Sequence, residues 1–131
     1  MTPLQELIQT IKACIPGWDV VAKLSLDVDE FVASETLTGA TVLISIGEHT
    51  PHGEKREGGK YRKFREGYAL FLLAHAAPTL TADDVYTAFT TLRDGLNGCY
   101  LTECGKTIEI GAGTPLFSAG IPEAQLTIMV Y

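Results

Sequence analysis

The sequence predicts a single α+β domain in which two helices pack on one face of a mixed, mainly antiparallel sheet. Three observations favour this fold. Two stretches repeat apolar residues at helical spacing, five others alternate or are rich in β-branched residues, and 131 residues is the length of one domain. With 46% hydrophobic and 20% charged residues, the chain is apolar enough to bury its own core. The predicted order over residues 1–131 is α-β-β-β-α-β-β.

The first helix is predicted at the start of the chain. Thr2 suits its N-cap, and Pro3 suits its first turn, where a missing N–H has no cost. Pro16-Gly17 ends it, because proline cannot continue the helical hydrogen-bond ladder. The apolar face of this helix is formed by Leu4, Leu7, Ile8, Ile11 and Ile15.

The next segments predict three strands. From Asp19 to Asp27 the apolar period becomes two, which is typical of a half-buried strand whose start is anchored in the core by Trp18. Residues 27–39 favour neither helix nor strand. Ala40–Ile46 is rich in β-branched residues and predicts the second strand. Tyr61–His75 predicts a third strand, central in the sheet because its second half is apolar on both faces.

The segment between the second and third strands predicts a projecting hairpin. Residues 47–60 contain four glycines, a proline and many charges, which predicts a solvated loop. The first half of the third strand has no matching length in the strand before it. We therefore expect a β-hairpin whose tip projects beyond the globule.

The last third of the chain predicts a helix and two strands. Thr81 suits the N-cap of the second helix, and Asp83 and Asp84 lie in the first turn, where the helix dipole favours negative charge. Lys106–Ile110 predicts a strand, followed by a glycine-rich connection and a closing strand over residues 124–131. The buried stripe of the second helix is predicted to contain Val85, Phe89, Leu92 and Leu96.

Charge and composition restrict the possible partners. A net charge of −6 argues against a protein that binds nucleic acid by neutralising phosphates, and we expect no sequence-specific nucleic-acid partner. No apolar run approaches the roughly 20 residues that span a bilayer, and the N-terminus lacks an export signal, so we expect a soluble, unexported protein. The three cysteines are odd in number and irregularly spaced, which favours a reducing compartment over a disulfide framework.

Patterns that carry chemistry are weak in this chain. His49 and His52, with two glutamates nearby, offer nitrogen and oxygen ligands, but six neighbouring cations oppose a metal ion. Cys99 and Cys104 lack the two-residue spacing of redox or zinc pairs. Gly111-Ala112-Gly113 begins like a dinucleotide fingerprint without its third glycine or its helix. We therefore predict no catalytic, cofactor or metal site; the enzyme alternative would use His49, His52 or Cys99.

The basic hairpin is the strongest candidate for an interaction site. Six of the ten basic residues fall between Lys55 and Arg65, interleaved with two aromatic residues that have no core beneath them. An interaction arm and a solvated loop both account for this pattern, and an adaptor that binds an acidic protein is a further alternative. The predicted contact residues are Arg56, Lys60, Tyr61, Arg62, Lys63 and Phe64, and the predicted acidic complement is Asp27, Asp29, Glu30 and Glu35.

The order of these stretches carries a resemblance over nearly the whole chain. The stretches are a helix closing on Pro16-Gly17-Trp18, then Thr41–Ile46, Tyr68–Leu73, a helix ending Leu92–Leu96, and Gln125–Tyr131. In this order they resemble a family of small tail proteins of Mu-like phages and prophages. That family is similar in fold to the tail terminators of long-tailed phages.

The resemblance implies a structural role without catalysis. Tail terminators form a ring, commonly hexameric, that caps the tail tube and faces the head connector. For this chain, the resemblance therefore implies self-association, with tail tube and head–tail connector proteins as partners. It also implies a place in the virion tail, assembled in the cytoplasm of the bacterial host. A ring needs two different patches on each subunit, and the basic hairpin and the acidic stretch suit these roles.

Overall fold

The computed structural model describes residues 2–23, 39–55, 61–74, 77, 79–118 and 121–131. The acidic stretch of Asp27, Asp29, Glu30 and Glu35 lies outside the described residues, as do Arg56 and Lys60. The elements in chain order are α1 (Pro3–Cys14), β1 (Asp19–Lys23), β2 (Thr41–Lys55), β3 (Tyr61–Leu73), α2 (Ala82–Leu96), β4 (Tyr100–Leu101), β5 (Lys106–Ser118) and β6 (Ile121–Val130).

The strands form one mixed sheet in the order β1-β2-β3-β6-β5-β4. β1 is parallel to β2, and every other neighbouring pair is antiparallel. The predicted α+β class and the central position of the third strand are confirmed. The short strand β4 is additional to the predicted order.

Both helices begin where the sequence predicts. Thr2 caps α1 in a capping box with Gln5, and Thr81 caps α2 in the same way with Asp84. In each box the threonine hydroxyl accepts a backbone N–H while the partner side chain accepts the N–H of the threonine, so two donors without helical partners are satisfied. α1 ends at Cys14, before Pro16, because proline has no N–H with which to continue the helical hydrogen-bond ladder.

The main core lies between the helices and one face of the sheet. Leu7 and Ile11 of α1 and Leu92 of α2 are fully buried there. Each such side chain contributes about 1.5–3 kcal/mol through removal from water. The sheet contributes alternate residues of three neighbouring strands: Val42 and Ile44, then Leu70 and Leu72, then Ala124, Leu126, Ile128 and Val130.

The central strands are buried on their second face as well. Leu43 and Leu73 alternate with the core residues of β2 and β3, and both are buried. A strand buried on both faces carries a continuous apolar run rather than an alternating one. This explains the apolar run of β3 that predicted its central position.

Two predicted irregular segments are strands, so the sequence-based prediction was wrong there. Residues 47–55 continue β2, and residues 111–118 continue β5, whereas glycine and proline had favoured a loop and a connection. In both cases cross-strand pairing with the neighbouring strand outweighs the low strand propensity of these residues.

The Gly111-Ala112-Gly113 segment forms a β-bulge. Ile110 pairs with Ile128 but Gly113 pairs with Leu126, so β5 has one extra residue. The Thr127 hydroxyl accepts the Ala112 N–H at 2.8 Å and donates to the Ala112 carbonyl at 3.1 Å, which satisfies the backbone groups that the bulge removes from the ladder. The two glycines thus serve a strand irregularity rather than a phosphate cradle.

Candidate functional site

The β2–β3 hairpin extends beyond the rest of the sheet. The pairing of β3 with β6 stops at Glu66 and Val130, and residues 61–65 pair with β2 alone. Five residues at the usual strand rise span about 17 Å. We call this two-stranded part, residues 49–55 and 61–65, the arm. The expected projecting hairpin is present, although both sides of it are strands.

Two bulges shape the arm. Register shifts between Ile46 and His49, and again between His52 and Lys55, each place an extra residue in β2. Bulges increase the local twist and bend the strand that contains them. We therefore expect the strands of the arm to run in a different direction from the parts of β2 and β3 inside the sheet.

Phe64 is the predicted contact residue whose surroundings are described. It lies on the arm opposite Pro51 and is 45% exposed, whereas aromatic residues of the core such as Phe89 are buried. Tyr61, Arg62 and Lys63 lie in the same strand, and their side chains are outside the described set. Phe64 is therefore exposed on the arm, and its contact with a partner stays a prediction.

The arm divides the charge of the chain unequally. Residues 49–65, which comprise the arm and its connecting residues, contain six basic and two acidic side chains, a charge of +4, so the other residues carry −10 of the total of −6. One described cation of the arm is partly engaged, because the Arg65 guanidinium lies 5.4 Å from the centre of the Tyr131 ring. A positive arm on a negative body favours binding to an acidic surface.

A hollow of about 400 Å³ lies between the arm and the β4–β5 turn at residues 102–105. We call it the notch. It has aromatic, acidic and basic groups in its wall, and it borders Phe64 at the base of the arm. The lining includes His49, Phe64, Glu66, Cys104, Lys106 and Tyr131.

Two hydrogen-bond systems fix the walls of the notch. The Glu6 carboxylate, 8% exposed, accepts the Glu103 N–H at 3.0 Å and the Cys104 N–H at 3.1 Å, which holds the turn against α1. On the opposite wall the Tyr68 hydroxyl donates to Glu66 at 3.3 Å. Burial, and then the adjacent Glu66 charge, raise the pKa of Tyr68 well above its ordinary value.

The thiols of Cys14 and Cys104 are poorly suited to nucleophilic chemistry. Burial is the main cause that raises the pKa of Cys104, and burial followed by the nearby Cys99 raises the pKa of Cys14. A catalytic cysteine needs the opposite shift, because the thiolate is the nucleophile. The proximity of His49 and Cys104 in the notch therefore does not by itself indicate a catalytic pair.

The raised thiol pKa values predict a loss of stability in alkali. A group whose pKa is higher in the folded state stabilises the fold below its unfolded pKa, about 8.5 for cysteine, and this contribution is lost as the pH rises through the folded value. We expect the free energy of unfolding, measured in urea, to fall between about pH 8 and 10. The Cys14→Ala/Cys104→Ala variant should have a flatter profile. A wild-type profile that rises over this interval would contradict the prediction.

Metal and membrane features were sought in the described residues. No group of three or more His, Cys, Asp or Glu side chains placed to hold a metal ion is found among them. His49 borders the notch, while the side chains of His52 and Glu54 lie outside the described set. Within the same part of the chain, no helix is long and apolar enough to cross a bilayer.

Comparison with known proteins assigns no family. The sequence matches no protein-family model, and no curated protein matches it. The arm and the charge distribution are therefore the features on which a function can be proposed. Sequence reasoning identified the arm but missed the notch, because Glu6 and the turn that it holds are separated by 97 and 98 residues.

Proposed function

We propose that this chain is a structural phage tail protein, of the tail-terminator or tail-completion type, that self-associates into a ring at the end of the tail tube. The observation that carries the proposal is the arm. It extends beyond the sheet, is positively charged, and has an exposed aromatic residue, Phe64.

The arm is supported by fewer strands than the rest of the sheet. A two-stranded hairpin in water is marginally stable by itself, and residues 61–65 pair with β2 alone. Contact with another protein would bury Phe64 and desolvate the strand edge. Aromatic and arginine residues are the usual anchors of such interfaces. The negatively charged body of a second copy supplies a complementary surface.

The arm and the acidic body are different patches, and contact between them can be reciprocal in a two-fold dimer or repeated around a ring. An arm that meets the body of the next copy forms a head-to-tail contact, which closes into a ring when the rotation permits. The resemblance to Mu-like tail proteins supports a ring, commonly hexameric in that fold, with tail tube and head–tail connector proteins as further partners in the virion tail.

Charge reversal in the arm tests the proposal. We expect the Arg62→Glu/Lys63→Glu variant to fold normally and to remain monomeric at concentrations where the wild type forms one closed oligomer, measured by multi-angle light scattering. Association of the wild type should weaken as salt rises, because added ions screen exposed charges over roughly 10 Å. The double variant should also fail to complete tails when it replaces the wild type in a phage assembly assay.

The matched control compares single charge reversals at Lys63 in the arm and at Lys12 outside it. Lys63→Glu should weaken association, whereas Lys12→Glu, on the exposed surface of α1, should not. A wild-type protein that stays monomeric at every concentration, also with tail tubes present, would contradict the proposal. If the arm variant associates as strongly as the wild type, the arm is a solvated loop that does not take part in association.

A further inference from the structure

The outer face of α2 has an exposed aromatic residue with acidic neighbours. Tyr86 is 53% exposed although its ring lies only 6.5 Å from that of Phe89, which is buried. Asp83 lies one turn before Tyr86, on the same side of the helix, and is exposed. Asp84 is engaged in the capping box with Thr81. The two carboxylates outweigh the roughly half positive charge of the helix N-terminus.

This part of α2 lies at the end of the sheet remote from the arm. α2 follows β3, which runs away from the arm toward Leu73. Farther along α2, Phe89 lies near Gly113 and Leu126. After α2 the chain reaches Cys99, whose carbonyl accepts the Ile108 N–H. Ile108 is close to the start of β5, at the end of the sheet that borders the notch. The first turns of α2 are therefore far from the arm of the same chain.

We propose that the outer face of the first half of α2, around Asp83 and Tyr86, receives the arm of a second copy of this chain. The inference rests on the proposed self-association and identifies the second patch of that contact. The positive charge of the arm meets Asp83 and Asp84, and Phe64 meets Tyr86. Because the two patches lie at opposite ends of the sheet, an arm reaches this face only in another subunit.

Contact between the arm and the α2 face brings opposite charges and two exposed aromatic rings together. Each patch combines one exposed aromatic ring with charges mostly of one sign, positive in the arm with its connecting residues and negative at the start of α2. Opposite potentials across an interface fix the register and disfavour like pairing of arm with arm. Contact between the Phe64 and Tyr86 rings adds a ring–ring attraction to the effect of the area that they bury.

A mixing experiment tests the contact. One variant, Arg62→Glu/Lys63→Glu, lacks a functional arm but keeps the α2 face. The other, Asp83→Asn/Tyr86→Ala, lacks the α2 face but keeps the arm. We expect each to be monomeric alone, with the self-association Kd raised at least about tenfold. Mixed in equal amounts they should form 1:1 dimers and nothing larger, since each dimer has one intact contact and no further complementary pair.

The control variant removes the same two residue types elsewhere. Asp94→Asn/Tyr100→Ala removes an exposed aspartate at the other end of α2 and a tyrosine that is 58% exposed on β4. It should associate like the wild type, and thermal unfolding should confirm that every variant is folded.

The outcomes separate the two proposals. Wild-type oligomers together with unaltered oligomers of a folded Asp83→Asn/Tyr86→Ala variant would overturn the α2 contact and leave the proposed function standing. Monomers alone, without dimers on mixing, would also overturn this contact. A wild type that never associates would contradict the proposed function and the contact together.

Discussion

Replacing Glu6 with alanine is expected to lower the free energy of unfolding by about 3 kcal/mol. The carboxylate is 8% exposed and accepts two backbone N–H groups of the β4–β5 turn. Hydrogen bonds to a charged group contribute roughly 1.5–3 kcal/mol each, and removal of the acceptor leaves both donors unpaired in a partly buried place. The loss should appear as a lower midpoint in urea denaturation with little change in slope.

The Glu6→Gln variant refines this prediction. The glutamine amide keeps one carbonyl oxygen, so the expected loss is smaller than that of Glu6→Ala. Gln9→Ala, an exposed position on the same helix, should change stability by less than about 0.5 kcal/mol. Equal stability of Glu6→Ala and the wild type would show that the turn is held by other contacts.

Placing a methyl group at Gly113 is expected to destabilise the protein by about 2 kcal/mol. A Cβ at this position would lie 2.6 Å from Phe89 Cζ and 3.2 Å from Leu126 Cδ1, so the buried Phe89 ring would have to move. Overpacking of this kind costs about 1–3 kcal/mol because core side chains leave their preferred rotamers. Thermal unfolding should show a lower melting temperature for Gly113→Ala.

A double-mutant cycle identifies the cause. Phe89→Leu removes the ring edge that the new methyl group meets, so Gly113→Ala should cost less in that background than in the wild type. Gly17→Ala is the matched control, since a Cβ there meets nothing within 4 Å. Strictly additive losses at Gly113 and Phe89 would indicate that backbone strain, and not the ring, causes the destabilisation.

The sequence predicted the parts of the fold that depend on local pattern. Threonine caps, apolar stripes and prolines placed both helices, because each signal acts within a few residues. The projecting hairpin followed from unequal strand lengths. The strands over residues 47–55 and 111–118 were missed, because their glycines and prolines lower local propensity while the neighbouring strand supplies the pairing.

The candidate site was predictable only in part. Phe64 was identified because an aromatic residue among charges is visible in the sequence. The notch and the outer face of α2 were not, because they depend on which distant segments meet. Glu6 gives no local sign that it binds a turn about one hundred residues away. In the sequence, Asp83 was explained by its place in the first helical turn, where the dipole favours negative charge. Its exposure beside Tyr86 is visible only in the folded chain.

Because of the bulge after Ile46, changes in the hairpin tip do not disturb the strand pairing of the core. The pairing of Thr41–Ile46 with Tyr68–Leu73 sets the strand register inside the globule. The extra β2 residue of the bulge lies outside this paired region. An insertion or deletion nearer the tip therefore leaves the buried pairing intact. The length and charge of the tip can therefore change without a redesign of the interior.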